Sequence, residues 1–239
     1  MLTTKILRAL TAGAATAALV AGCGGDDDTA GAAKPESTAP SFKAGAVVFE
    51  DAFEAKANKD GWLLVDGVVS FEKGRYIWLE MPEEGASSLP DTLLKREIPA
   101  GIAASVDVEM TGGSALRGLR CREQGEDDPE AWYELGVDGE RAQIRKMSLD
   151  APPQILKATE APLPNGRKVR LTAHCVPDAG GSLVLALSTD GKEIVRATDA
   201  DPVEGAPGTV ALFGYARPDS DGPANLAWDD FELRAATAG

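Results

Sequence analysis

The residues able to do chemistry are few. The chain holds one histidine, His174, and three cysteines, at positions 23, 121 and 175. Asp107-Val108-Glu109 sets two carboxylates on alternate positions of an extended segment, so both leave one face. Carboxyls roughly 5 Å apart are what sugar-bond cleavage with retention needs, and alternate strand positions can supply that spacing. With a single histidine, the commonest general base and the commonest zinc ligand are nearly absent. No Gly-x-Ser-x-Gly, His-Glu-x-x-His or phosphate-binding loop occurs, which leaves other hydrolytic and phosphoryl-transfer chemistries without support. The 38 acidic side chains outnumber 24 basic ones, for a formal charge of −14. Nucleic acid is therefore not an expected partner, because binding phosphates requires basic surface that displaces their counterions.

Residues 1–22 are expected to be an export signal. Lys5 and Arg8 precede an apolar run from Ala9 to Ala21 that only threonines and a glycine interrupt. That is a positive n-region and a short h-region, too short for a membrane span of roughly 20 apolar residues. The ending Val20-Ala21-Gly22-Cys23 resembles the lipobox of bacterial lipoproteins. The resemblance implies a diacylglycerol on Cys23, which becomes the first residue of the mature chain, exported and held at the membrane on its extracytoplasmic side. Loss of Lys5 and Arg8 leaves the remainder at −16. Asp26, Asp27 and Asp28 repel anionic head groups, so lipid rather than surface charge must supply the anchoring. Residues 23–44 then form a linker. Apart from Phe42 they carry no large apolar residue, and about 21 such residues span on the order of 25 Å root-mean-square.

What must position any site is a domain over residues 45–236, followed by a short tail at 237–239. Val169, Leu171, Ala173 and Cys175 alternate with Arg170, Thr172 and His174, the pattern of a strand with one buried and one wet face. Residues 106–110, 133–137 and 183–187 have the same extended character. Lys73-Gly74, Asp138-Gly139, Asn165-Gly166 and Asp190-Gly191 mark turns, and Asp66-Gly67 marks another. No stretch keeps helical spacing for three turns. The 44% hydrophobic content is enough for a core, and about a dozen short strands imply an all-β antiparallel sandwich.

The order of motifs carries a resemblance. Phe49-Glu50-Asp51-Ala52-Phe53 is followed by Gly61-Trp62, Gly74-Arg75-Tyr76, Gly118-Leu119-Arg120-Cys121-Arg122 and Trp132-Tyr133-Glu134-Leu135. Asn165-Gly166, Leu171-Thr172-Ala173-His174-Cys175, Asp190-Gly191 and the closing Trp228-Asp229-Asp230-Phe231-Glu232-Leu233 come after. The series resembles a concanavalin A-like jelly roll of the laminin G and glucanase type over nearly all of residues 47–234. The resemblance implies two packed antiparallel sheets, one of whose outer faces binds glycans in many relatives. It also implies a test of Asp107 and Glu109. The glucanase motif has three acids, Glu-x-Asp-x-Glu or Glu-x-Asp-x-x-Glu, and Ser105 stands where the first is required. The nucleophile is missing.

With Cys23 lipidated, Cys121 and Cys175 remain, both on the inward phase of their strands. An exported protein with an even remainder is expected to pair them, two free buried thiols being the alternative. His174 leaves the opposite face from Cys175, which speaks against a shared metal site. If Leu119, Cys121, Tyr133 and Leu135 point inward, then Arg120, Arg122, Trp132 and Glu134 point outward. An exposed tryptophan beside charged groups is a sugar platform. The alternative is that Trp132 packs under a neighbouring loop while the arginines balance Asp127, Asp128 and Glu130. Trp62, Trp78 and Trp228 are expected to pack in the core or at its rim. By resemblance, Asp51, Asp229 and Asp230 are candidate ligands of a structural calcium where the terminal strands meet, the alternative being that these acids cap turns or face water; no other cofactor is expected. Three functions remain open. The first is a non-catalytic module binding cell-wall or environmental polysaccharide. The second is a structural lipoprotein contacting an envelope protein, and the third a diverged glycoside hydrolase.

Overall fold

The structure, a computed structural model, describes residues 41–54, 61–65, 67–123, 131–203 and 209–239. The expected export signal, Cys23 and the linker up to residue 40 lie outside the described residues, as do Asp66, Asp127, Asp128 and Glu130. The chain opens with β1 (Phe42–Asp51), β2 (Trp62–Val65), β3 (Val68–Glu72), β4 (Arg75–Leu79) and β5 (Ala86–Pro90), then one turn of helix, α1 (Asp91–Leu94). Next come β6 (Ile102–Gly112), β7 (Ala115–Glu123), β8 (Ala131–Val137), β9 (Arg141–Ser148) and β10 (Ala151–Glu160). The last five strands are β11 (Val169–Pro177), β12 (Leu183–Thr189), β13 (Lys192–Asp199), β14 (Thr209–Ala216) and β15 (Ala224–Ala238).

The expected all-β, two-sheet antiparallel sandwich is what forms. One sheet runs β13-β12-β11-β6-β15-β4-β3, with β1 also paired to β15; the other runs β10-β9-β8-β7-β14-β5-β2. Glycine-bearing turns make the hairpins. Lys73 and Gly74 (φ 51° and 73°) join β3 to β4, and Asp190 and Gly191 (φ 50° and 78°) join β12 to β13. Two successive positive φ values match the right-handed twist of the flanking strands.

The alternation read from sequence decides which side chains meet between the sheets. Val106, Val108, Leu171, Leu185, Leu187 and Leu233 from one sheet face Leu119, Leu135, Ile144, Val210 and Leu212 from the other, all fully buried. Each such side chain contributes about 1.5–3 kcal/mol on leaving water. Trp62, Trp78 and Trp228 are buried as expected, in a run of ring contacts that includes Trp78 to Trp228 at 5.3 Å and Phe53 to Trp62 at 5.2 Å. Cys121 on β7 and Cys175 on β11 form the expected disulfide and so tie one sheet to the other. Their sequence separation of 54 corresponds to about 4 kcal/mol of lost unfolded-state entropy, an upper figure.

Both ends of the sandwich reach further than the sequence reading placed them. Phe42, Lys43 and Ala44 belong to β1, and Thr237 and Ala238 to β15, so the sheet takes in the last three residues of the expected linker and the first two of the expected tail. The reason is Phe42. It joins Ala103, Val176, Ala236 and Ala238 in a small apolar cluster on the outer face of the eight-stranded sheet. His174 leaves that outer face, as its alternation predicted, but it is not a free surface group. Its ring stacks on Phe42 at 4.2 Å and 6°, the Arg196 guanidinium lies 4.5 Å from the Phe42 ring, and among the described residues buried Nδ1 has no hydrogen-bond partner.

Burial, and then the charge of Arg196, hold the His174 pKa below its ordinary 6.5, with Glu193 opposing. The unfolded chain therefore takes up this proton at higher pH than the folded one does. The stabilisation from neutral His174 is present above about pH 6.5 and is lost as pH falls through the lower folded value. We expect the stability difference between the protein and its His174→Gln variant to shrink on moving from pH 7.5 to 5 in urea denaturation. A difference independent of pH would contradict this.

Candidate functional site

The outer face of the seven-stranded sheet is organised around a single carboxylate. Register places Arg120 of β7 opposite Glu134 of β8, and Glu134 opposite Arg145 of β9. On all three strands the alternate residues, Leu119 and Cys121, Tyr133 and Leu135, Ala142 and Ile144, are taken by the core. Arg120, Glu134 and Arg145 therefore form one cross-strand row pointing outward. Glu134 has 0% exposure. Its Oε1 accepts from Arg120 Nε at 3.1 Å, Trp132 Nε1 at 3.1 Å and the Tyr215 hydroxyl at 2.6 Å, and Arg145 Nη2 donates to Oε2. Arg120 Nη2 donates to the Tyr215 hydroxyl at 2.7 Å, which closes a ring of three residues from three strands.

The guanidinium groups also cover the aromatic rings. Arg120 lies 5.0 Å from the Trp132 ring, and Arg145 lies 5.2 Å from that of Tyr215. Glycines leave room for another ring in the adjacent row. Gly118 and Gly136 are cross-strand partners, and a Cβ on Gly136 would come within 2.8 Å of Phe213 Cζ. Burial, together with the Glu134 charge, raises the Tyr215 pKa to about 12, against the pull of Arg120. The phenol thus keeps its proton and remains a donor to Glu134 at every ordinary pH.

Three of the four residues read as a sugar platform, Arg120, Trp132 and Glu134, come together here, but not as an exposed platform. Trp132 is 7% exposed. A buried carboxylate needs donors, and Trp132, two residues away on the same phase, supplies its indole N–H, so the ring lies down on the sheet. Arg122 is diverted. Its φ of 56° accompanies a register shift between β7 and β14, and its Nη1 turns to the Val203 carbonyl at 3.4 Å. The sequence reading missed Arg145, Gln143 and Tyr215. Arg141, Gln143 and Arg145 alternate with Ala142 and Ile144, a signal that could have found the first two. Nothing local points to Tyr215, which meets Arg120 across 95 positions.

The other candidate groups lie on the opposite sheet. Asp107 pairs with Lys168 at 3.0 Å and Arg170 at 3.1 Å, and Glu109 pairs with Arg75 at 2.9 Å. These carboxylates are neutralised separately and share no reaction centre. The calcium set is also dispersed. Asp51 spends Oδ1 on the Phe53 amide (2.7 Å) and Oδ2 on the Trp62 indole (2.8 Å). Asp229 accepts from Lys168 at 2.9 Å, and only Asp230 shares a cleft with Asp51. Calcium takes six to eight oxygens, whereas among the described residues no group of three or more His, Cys, Asp or Glu side chains is placed to hold a metal. Asp51 and Asp229 are held by structural partners instead.

Removing the central charge tests the arrangement. Glu134→Gln leaves Arg120 and Arg145 without their shared carboxylate and should cost about 3 kcal/mol or more, as breaking a buried pair does. Urea denaturation measures it; a loss under about 1 kcal/mol would mean the network carries little of the stability.

No protein-family model matches the chain, and no curated protein sequence is similar to it. Its fold is shared with solved structures. A Bacillus subtilis protein of unknown function with a galectin-like fold superposes with a TM-score of 0.60 at 16% identity, over 83% of this chain and all of that one. The carbohydrate-binding module CBM66 from Bacillus subtilis gives 0.55 at 13% identity, over 73% and 96%. The carbohydrate recognition domain of Emp46p, in a metal-free form, gives 0.54 at 11% identity, over 81% and 97%. The structural neighbours of this chain are thus jelly-roll sandwiches of the carbohydrate-binding and galectin-like kind.

Proposed function

We propose that this protein is a non-catalytic glycan-binding module, exported and tethered to the membrane on its extracytoplasmic side through a lipid on Cys23. The observation that carries the binding reading is the Arg145–Gln143 stretch of β9, one strand in from the edge of the seven-stranded sheet. There a guanidinium with 17% side-chain exposure is fixed from below by a fully buried carboxylate, and a half-buried amide sits two residues along the same strand. Rigid donors and acceptors of this kind bond hydroxyls without losing side-chain entropy on binding. That such modules recur among the structural neighbours supports the reading. The separate neutralisation of Asp107 and Glu109 disfavours a hydrolase.

Arg145→Met should weaken binding to a recognised polysaccharide at least tenfold, which is about 1.4 kcal/mol. Affinity electrophoresis against a polysaccharide panel, with thermal unfolding as the check on folding, reads the effect. Unchanged affinity would remove this stretch from the site, and failure of the unaltered protein to bind any polysaccharide would remove the reading.

The tether is tested separately. Cys23→Ala should move the protein from the membrane fraction to the soluble fraction, and persistent membrane association would contradict lipid anchoring.

A further inference from the structure

We infer that the ligand is an extended glycan chain rather than a single terminal sugar, and that it runs along β9 to a second subsite formed by Arg141 and Glu160. This rests on the glycan-binding reading and specifies its ligand. Three observations carry it.

The first is the row itself. Arg141, Gln143, Arg145 and Met147 occupy the outward phase of β9, since Ala142 and Ile144 are fully buried in the core. At about 3.3 Å per residue, Arg141 and Arg145 stand about 13 Å apart. One pyranose ring cannot bridge that span, and a short linear oligosaccharide can.

The second is the contrast between the two ends of the row. Around Glu134 the carboxylate, the Trp132 indole N–H and the Tyr215 hydroxyl are spent on one another. At the far end, Arg141 and Glu160 are direct cross-strand partners and both are exposed. Among the described residues neither side chain makes a hydrogen bond or ion pair. Together with Glu140 and Pro162 they line a cleft of about 460 Å³. A guanidinium fork facing a carboxylate offers donors and acceptors together, the combination that adjacent sugar hydroxyls need because each can do both. The Pro162 ring adds apolar surface.

The third is the outer wall. β10 is exposed along nearly all its length, and Ile155, 60% exposed, sits directly opposite Arg145. Its aliphatic surface faces the track where the C–H faces of sugar rings would pass. β10 is also poorly suited to receive another protein's strand. Pro152 and Pro153 remove amide donors near its start, and two register shifts break its line, both devices that protect sheet edges.

The experiment is a chain-length series. Linear β-1,4-glucan, α-1,4-glucan, xylan and chitin oligosaccharides, from monomer to hexamer, are titrated calorimetrically against the protein, Arg141→Met and Glu160→Gln. In the series that binds, affinity should rise at least tenfold between the disaccharide and the longest oligomers. Either substitution should abolish that rise and leave disaccharide binding at the Arg145 end unchanged. Both side chains are exposed, so folding should survive, and thermal unfolding verifies it. Full affinity already at the mono- or disaccharide, indifferent to positions 141 and 160, would overturn the inference while the glycan-binding reading stands. Binding to no oligosaccharide or parent polysaccharide would overturn both.

Discussion

Glu134 is an ionisable group with no contact with water, and the seven-stranded sheet is arranged around that constraint. A carboxylate in such a place must be met by donors or it destabilises the fold by several kcal/mol. Four side chains meet it: Arg120, Trp132, Arg145 and Tyr215. They come from β7, β8, β9 and β14, so satisfying one charge fixes the relative register of four strands. A one-residue slip in any of them would send its donor into the core. Gly136, on the same strand as Glu134, leaves the space that the Phe213 ring occupies, and its cross-strand partner Gly118 allows close approach of the Leu135 carbonyl.

The consequence for function is a division of labour on one face. The centre is closed and rigid, with its hydrogen bonds made internally and its aromatic rings covered by guanidinium groups. The accessible chemistry is displaced outward to β9 and to the exposed strand β10 beside it. Buried Glu134 holds the partly exposed Arg145 guanidinium in place from below. This differs from an exposed tryptophan plate, which takes its ligand by stacking and needs no supporting network.

The outer face of the eight-stranded sheet handles charge differently. There Lys168 bridges Asp107 and Asp229, Arg170 meets Asp107, and Arg234 holds Glu232. These pairs are partly exposed, so each contributes little to stability. They scatter positive charge among the carboxylates of a strongly acidic chain, and Asp107 and Asp229 are each held by a cation.

The sequence by itself determined the fold class and which phase of each strand is buried, because alternation has a period of two and a sheet buries one face at a time. It also marked the hairpin turns at Lys73-Gly74, Asp138-Gly139 and Asp190-Gly191, each with its glycine at positive φ, and it indicated the Cys121–Cys175 pair. It placed Arg120, Arg122, Trp132 and Glu134 on the outward phase of their strands. It could not say that outward meant buried. That depends on Arg145 and Tyr215, and on a local left-handed residue at Arg122 that turns its side chain away. Nor could it say that Phe42 would join β1 and stack on His174. Only the tertiary structure decided these points, because cross-strand neighbours are set by sheet order, and sheet order joins segments as far apart in sequence as Arg120 and Tyr215.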